Sequence, residues 1–358
     1  MAFGFLRRLF GVSRHKAKIP APANASFAEK PVADRQLSTG GAQLDSALQN
    51  DNNYQSLATS FNDYLLGANL DMRQEPNEIE NFIITNLEAM LRGEIPDSAV
   101  PRLPDVGMAL LKELTNINIS SETIMSYIIR DPALASEVLN MANSVLFRSN
   151  TQEKITNLTK AVTILGLNNL KTIVSSVLMK RMVLIAPIYF RMFGQHLWRH
   201  SQDCGQACRA LAKFYGQCDP NNAYLVGLMH DIGKLAIFGL LTKALGQHIN
   251  YQPRGSVFST IVRDHSQELS AKIARKWELP DYLLTALSEQ SGELSHASRY
   301  GFILNQANIL AEFKAIAEKE VKAGGNFDDL LVKYSIPLHL FIEAFPDDYR
   351  MLAETGEN

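Results

Sequence analysis

From Arg102 onward the chain repeats one pattern: apolar residues at three- and four-residue intervals, broken by Gly, Pro and capping side chains. That period lines up side chains on one face of an α-helix and is incompatible with the alternation of a half-buried strand. In "RDPALASEVLNMANSVLF", Asp131 is placed to cap a helix. Pro132 falls at the first helical position, where its missing N–H is harmless. Leu134, Val138, Met141 and Val145 then form a stripe. "TNLTKAVTILGLNNLKTIVSSVLM" reads as two helices, the first ended by Gly166 and the second capped by Asn168. "RHSQDCGQACRALAKFYG" reads as another, ending near Gly216. Alternating patterns are scarce, strand-pairing turns are absent and no internal repeat is seen. The expected fold class is all-α.

The totals set bounds on this expectation. A chain of 358 residues has room for one large or two smaller domains, and 46% hydrophobic residues suffice for a sizeable core. The net charge of −2 gives no global attraction to nucleic acid, and none is expected as a partner. The cysteines are Cys204, Cys208 and Cys218, too few for a disulfide framework and in keeping with a reducing cytoplasm. The longest apolar run, "LKTIVSSVLMKRMVLIAPIYF", is interrupted by Lys171, Lys180, Arg181 and Pro187. It therefore reads as buried or amphipathic helix rather than a membrane span. The N-terminus lacks the apolar stretch and cleavage site of a signal peptide, so the expected location is cytoplasmic.

Residues 1–18, "MAFGFLRRLFGVSRHKAK", are basic and amphipathic. Phe3, Leu6 and Phe10 share one helical stripe and Phe5, Leu9 and Val12 its neighbour, while Arg7, Arg8 and Arg14 can face anionic headgroups. The readings are contact with the inner membrane face, a partner-docking peptide or a flexible leader. Residues 19–75 read as a linker, mostly disordered, with "YQSLATSFNDYLLGANL" a short helix inside it. Residues 76–100 hold a leading helix with Ile79, Phe82, Ile83, Leu87 and Leu91 on its apolar face and Gly93 as its stop. The main domain is placed at 101–310. A helical extension at 311–358 follows, with a turn at "GGNFDD". Its "HLFIEAF" and "DDYRML" suit either a bundle cap or a docking helix.

The chemistry concentrates in "GLMHDIGKLAIF". A metal that activates water for phosphoester hydrolysis needs imidazoles and carboxylates converging from several helices, with coordination positions left open. His230 and Asp231, adjacent on a helix, point at least a quarter-turn apart, so other helices must complete any shell. His200 is the candidate from an earlier helix. Lys234, one turn after His230, can hold a phosphate or pair with Asp231. Without a metal, the same residues read as a hydrogen-bonded structural cluster. His200, Cys204 and Cys208 share a helix stripe, but its outer members are about 12 Å apart by helical rise and cannot wrap one tetrahedral ion. The two thiols are expected to pack as small apolar groups. There is no Gly-rich phosphate loop, and no Ser-His-Asp or Cys-His set stands out.

The ordered segments "DPAL", "NSVLF", "AVTILGL", "HDIGK" and "KWELP" resemble the HDOD domain of bacterial signalling proteins, relatives of the HD and HD-GYP phosphohydrolases. The resemblance covers roughly Pro101 to Leu310. It implies a two-lobed all-helical fold, an N-terminal bundle packed on a half derived from the HD hydrolase core. It also implies a ligand set of which part is missing. The earlier His is present as His200 and the pair as His230-Asp231. A later His falls at Ser266, with His265 one residue away and about 100° round the helix. A His-His pair falls near Gln290-Ser291, and the final Asp at Asn308.

The resemblance thus implies no catalytic residue, vestigial metal positions at His200, His230 and Asp231, and pocket or phosphate contacts at Lys234, His265, Gln290 and Asn308. No cofactor is expected; a single weakly bound divalent ion is the alternative. The expected function is a regulatory signal-transduction module that binds a protein partner or ligand. The alternatives are a residual phosphohydrolase or cyclic-dinucleotide phosphodiesterase, and a nucleotide-binding sensor without turnover.

Overall fold

In the computed structural model the described residues run from 51 to 355, apart from 67–76, 94, 96–99, 102–104, 117, 145–146, 148–153, 184–190, 217, 246–254 and 292–296. The basic segment 1–18 and the linker up to residue 50 lie outside them, as does Val145. The described residues form helices and no strands, as the periodicity requires.

Two helices precede the main body. The first, α1 (Asp51–Leu66), lies inside the stretch expected to be linker. Leu57, Phe61 and Leu65, one turn apart, are fully buried, and that stripe makes the segment a packed helix rather than a spacer. The second, α2 (Glu78–Arg92), opens with a capping box. Asn77 accepts from the Glu80 amide at 3.0 Å, and Glu80 accepts from the Asn77 amide at 2.8 Å. Gly93 ends it as expected. Its apolar face departs from expectation: Leu87 is buried, but Phe82 is 64% exposed. Five residues of helix place the two about 140° apart. The side chains of Ile79, Ile83 and Leu91 lie outside the described residues.

The first lobe comprises α3 (Asp105–Leu114), α4 (Ser121–Ile128), α5 (Pro132–Ala142) and α6 (Leu158–Val183). Asp131 caps α5 by accepting from the amides of Ala133 and Leu134, and it also takes an ion pair from Arg181 of α6. One carboxylate thus fixes both a helix start and its packing. Asn143 bonds both backbone groups of Ile155, at 2.7 and 2.8 Å, closing the loop after α5. At Gly166 the chain leaves helical geometry with φ 71°, so α6 is two helical stretches meeting at a kink. Asn168 follows the kink, and its side-chain oxygen accepts from Asn221 across the lobes.

The second half is built on α7 (Arg191–Tyr215), followed by α8 (Pro220–Met229), α9 (Ile232–Leu245), α10 (Gly255–Lys276) and α11 (Asp281–Ser288). After a 3₁₀ turn at Glu289–Ser291 comes α12 (Arg299–Lys322). Helix α7 packs against both α8 and α12, and Gly216, at φ 63°, ends it. Ser176 of α6 and Tyr224 of α8 join the halves through a 2.6 Å hydroxyl contact. Helix α1 lies on α12, α10 and α7, and α2 lies on α9 and α10. Both leading helices therefore belong to the second half.

Leu158–Met182 and Pro220–Leu240 are long and apolar enough to cross a membrane, but the most apolar part of each is mostly buried inside the fold, as in a core helix. The chain closes with α13 (Phe327–Lys333), α14 (Leu338–Ala344) and α15 (Pro346–Thr355). Phe313, Phe327 and Phe341 pack with ring centroids 5.4–5.8 Å apart. Leu340 and Phe341 are fully buried, so "HLFIEAF" caps the bundle.

Candidate functional site

His230 and Asp231 occupy the joint between α8 and α9. Two glycines bring that joint against its neighbours. A Cβ on Gly227 would stand 2.7 Å from the Cys204 carbonyl and the Cys208 sulfur of α7. A Cβ on Gly233 would stand 2.0 Å from the Ser266 carbonyl of α10. Only hydrogen fits at either place, so the motif's glycines set how closely α7 and α10 approach the pair. The Gly233 amide, near the start of α9, donates to Ser270 at 2.9 Å.

The polar side chains converge below this joint. His230 donates Nδ1–H to the Gly227 carbonyl at 2.7 Å, which aims its Nε2 inward. That Nε2 is 3.1 Å from His200 Nε2 and 3.2 Å from Asp231 Oδ2, and the third edge, His200 Nε2 to Asp231 Oδ2, is 3.4 Å. Lys234 closes on the same carboxylate oxygen at 2.8 Å. Asn308 of α12 lies 3.0 Å from His200 and donates to Glu312 at 3.2 Å. Gln290 donates to the His230 carbonyl at 3.2 Å. From α1, the ring of Phe61 packs on His200 at 4.4 Å, with the Lys234 ammonium 5.5 Å from its centroid. His200, His230, Asp231, Lys234 and Glu312 are each under 10% exposed.

This burial decides the charges. Burial pushes His200 well below the ordinary imidazole range; His230 and Lys234 reinforce that, against the pull of Asp231. Burial acts the same way on His230, but Asp231 and Cys204 together outweigh it and His230 titrates well above the ordinary value. For Asp231, burial alone would raise the carboxyl; His230, Lys234 and His200 hold it well below the usual carboxylate range. The consistent state is an imidazolium and an ammonium on one carboxylate, with His200 neutral. Glu312 is pushed up to about 7, by burial and by Asp231, against Lys234 and the Asn308 amide.

The structure therefore gathers His200, His230, Asp231, Lys234 and Asn308 into one cluster, with Gln290 touching its backbone. It leaves His265 out. His265 is half-buried on α10, and the buried neighbour Ser266 carries only a hydroxyl, too short to replace an imidazole. Among the described residues, the group able to hold a metal is His200, His230 and Asp231; neither Cys204 nor Cys208 enters it, and both thiols are fully buried. Two members escaped sequence reasoning. Glu312 was within reach, since it sits one helical turn after Asn308 and shares its face. Phe61 lies in the short helix read at "YQSLATSFNDYLLGANL", but nothing in that segment points to the site.

His200 Nε2, His230 Nε2 and Asp231 Oδ2 form a triangle with edges of 3.1–3.4 Å, a spacing that suits three ligands of one divalent ion. Beyond this triangle, the polar side chains placed around it among the described residues are the Gln290 and Asn308 amides, the Lys234 ammonium and the Glu312 carboxyl, which Asn308 meets at 3.2 Å. The triangle fits one ion; a second would have to draw on Glu312 and neutral amides.

Residues 100–292 match the HDOD domain family. The chain belongs to the HDOD domain family. Among solved structures, a candidate metal-dependent phosphohydrolase from Shewanella amazonensis SB2B shares the fold at TM-score 0.52 and 22% identity, over 78% of this chain and 100% of that one. An HDOD domain protein of unknown function from Geobacter sulfurreducens does so at TM-score 0.51 and 16% identity, over 76% and 93%. At these identities the likeness is one of fold. A curated relative, an uncharacterised protein of Treponema pallidum (strain Nichols), is 26% identical over 209 residues, 57% of this chain and 39% of that one. This HDOD chain thus matches about two fifths of that relative's length. Asn308, Glu312 and Phe61 all lie outside the HDOD match, so the cluster is completed from beyond it.

Proposed function

We propose that this HDOD protein is a regulatory module of signal transduction that works by binding a protein partner, with its hydrolase-type pocket retired from catalysis. One observation carries the reading. The buried Lys234 ammonium sits 2.8 Å from the Asp231 oxygen that also faces both imidazoles. A positive charge on the ligand oxygen competes with a divalent cation; the amides of Gln290 and Asn308 bring no charge to offset it, and Glu312, pushed up to about 7, does so only once ionised. In this reading His200, His230, Asp231 and Lys234 tie α7, α8 and α9 together, and the output is a surface rather than a product.

The triangle of donors supports a second reading, a single-ion site. His200, His230 and Asp231 would hold the ion, which would polarise a phosphate oxygen or a water. Lys234 would then leave Asp231 and face the anion. The discriminating experiment is hydrolysis of bis(p-nitrophenyl) phosphate and of cyclic dinucleotides, with manganese or iron present, by the full chain and by Asp231→Ala. The regulatory reading expects no turnover in either protein. Turnover in the wild type that Asp231→Ala abolishes overturns it.

The basic residues 1–18 fit the same role as a tether to a partner or to the inner membrane face. Co-sedimentation with phosphatidylserine vesicles, compared with a chain lacking residues 1–18, tests the membrane half of that proposal. Equal binding by the two chains removes it.

A further inference from the structure

Helix α1 enters the site from outside the HDOD match, and it does so with aromatic rings. Phe61 covers the His200 ring at 4.4 Å, and Tyr64 covers the His196 ring at 4.2 Å. The two imidazoles are one turn apart on α7. Beneath these rings both histidines keep a buried Nδ1 with no hydrogen-bond partner. A buried polar atom left unpaired is unfavourable, and uncovering it to water relieves that penalty. The closed arrangement thus has two built-in unsatisfied atoms at the contact between α1 and α7.

The attachment of α1 is also one-sided. Leu57, Phe61 and Leu65 form its buried stripe, while Asn52, Gln55, Ser56 and Thr59 on the other face are exposed. Two of its polar ties run to the C-terminal cap: Asn53 donates to Ser335 at 2.8 Å, and Ser60 meets the Tyr334 hydroxyl at 3.3 Å. Among the described residues, no helix lies between α1 and solvent on that exposed face. Lifting α1 would break this stripe and these ties, and it would leave α7, α8 and α12 packed on one another.

We propose that α1 is a detachable strap that shuts the His200–His230–Asp231 pocket from within the same chain, opening as a unit while the rest of the protein stays folded. The open form presents the His200 and His196 imidazoles and the Lys234 ammonium fully to solvent; the closed form buries His200 and Lys234 and leaves His196 half-buried under Tyr64. The strap controls access whether the pocket binds a partner, a ligand or an ion, so it stands apart from the function proposed above.

The test uses the full chain. Backbone hydrogen exchange followed by mass spectrometry reads the opening of α1, and diethyl pyrocarbonate labelling reads the exposure of His200 against the exposed His339. The wild type is expected to exchange residues 51–66 at least about ten-fold faster than α7 and α8. Leu57→Ala weakens the stripe without removing Phe61, and it is expected to speed both α1 exchange and His200 labelling by about ten-fold or more. Exchange of α1 at the rate of α7 and α8 in the wild type overturns the proposal, whatever the variant does. So does a folded Leu57→Ala whose α1 opens faster while His200 labelling stays unchanged.

Discussion

At the scale of single residues, the cluster holds together because each member compensates another. Asp231 is buried and ionised, which is tolerable only with His230 and Lys234 beside it. His230→Ala removes one of those cations and the imidazole donor to the Gly227 carbonyl, and it leaves His200 with only Asn308 and Asp231 to face. It is expected to lower stability by about 3–5 kcal/mol, read as a shift of the urea midpoint. An unchanged midpoint would contradict the structural role. Glu312 gives a prediction with a definite sign. Its folded pKa, about 7, lies above the ordinary value of 4.5, so the folded state binds the extra proton between those values. Stability from this group is complete below pH 4.5 and lost as pH rises through 7. Glu312→Gln should therefore melt higher than wild type at pH 8 and close to wild type at pH 4.5. A melting difference that is the same at both pH values would refute this account of Glu312.

At the scale of elements, much was legible because the signals were local. The Asp131 cap, the Gly166 break, the Gly93 stop and the end at Gly216 each depend on a residue and its immediate neighbours. Helix α1 was readable as a helix but not as part of the core, because only α7, α10 and α12 reveal what its stripe meets. Phe82 shows the reverse error: an apolar residue near a stripe was assigned to it, while the fold leaves that side open. The motif glycines offer a test at this scale. Gly233→Ala puts a methyl 2.0 Å from the Ser266 carbonyl, so α9 and α10 must separate. A loss of about 1–3 kcal/mol is expected. Gly239→Ala, on the same helix with nothing within 4 Å, should be neutral or stabilise by up to about 1 kcal/mol. Equal effects of the two substitutions in thermal unfolding would contradict the close-packing argument.

At the scale of the whole molecule, the family match and the site do not share boundaries. The match ends at residue 292, while α12 supplies Asn308 and Glu312, and α1 supplies Phe61. The ordered motifs identified the HDOD fold, and with it the positions of His200, His230 and Asp231. They were silent on Glu312 and on the aromatic cover, which come from long-range packing that no spacing rule encodes. On the function proposed above, the surviving donors grip at most one divalent ion, with Lys234 holding the carboxylate that a metal pair would need. Elemental analysis of the full chain purified after saturation with manganese or iron measures this directly. No more than one ion per chain is expected, bound weakly enough to be lost on dialysis. Two ions per chain that survive dialysis would contradict it.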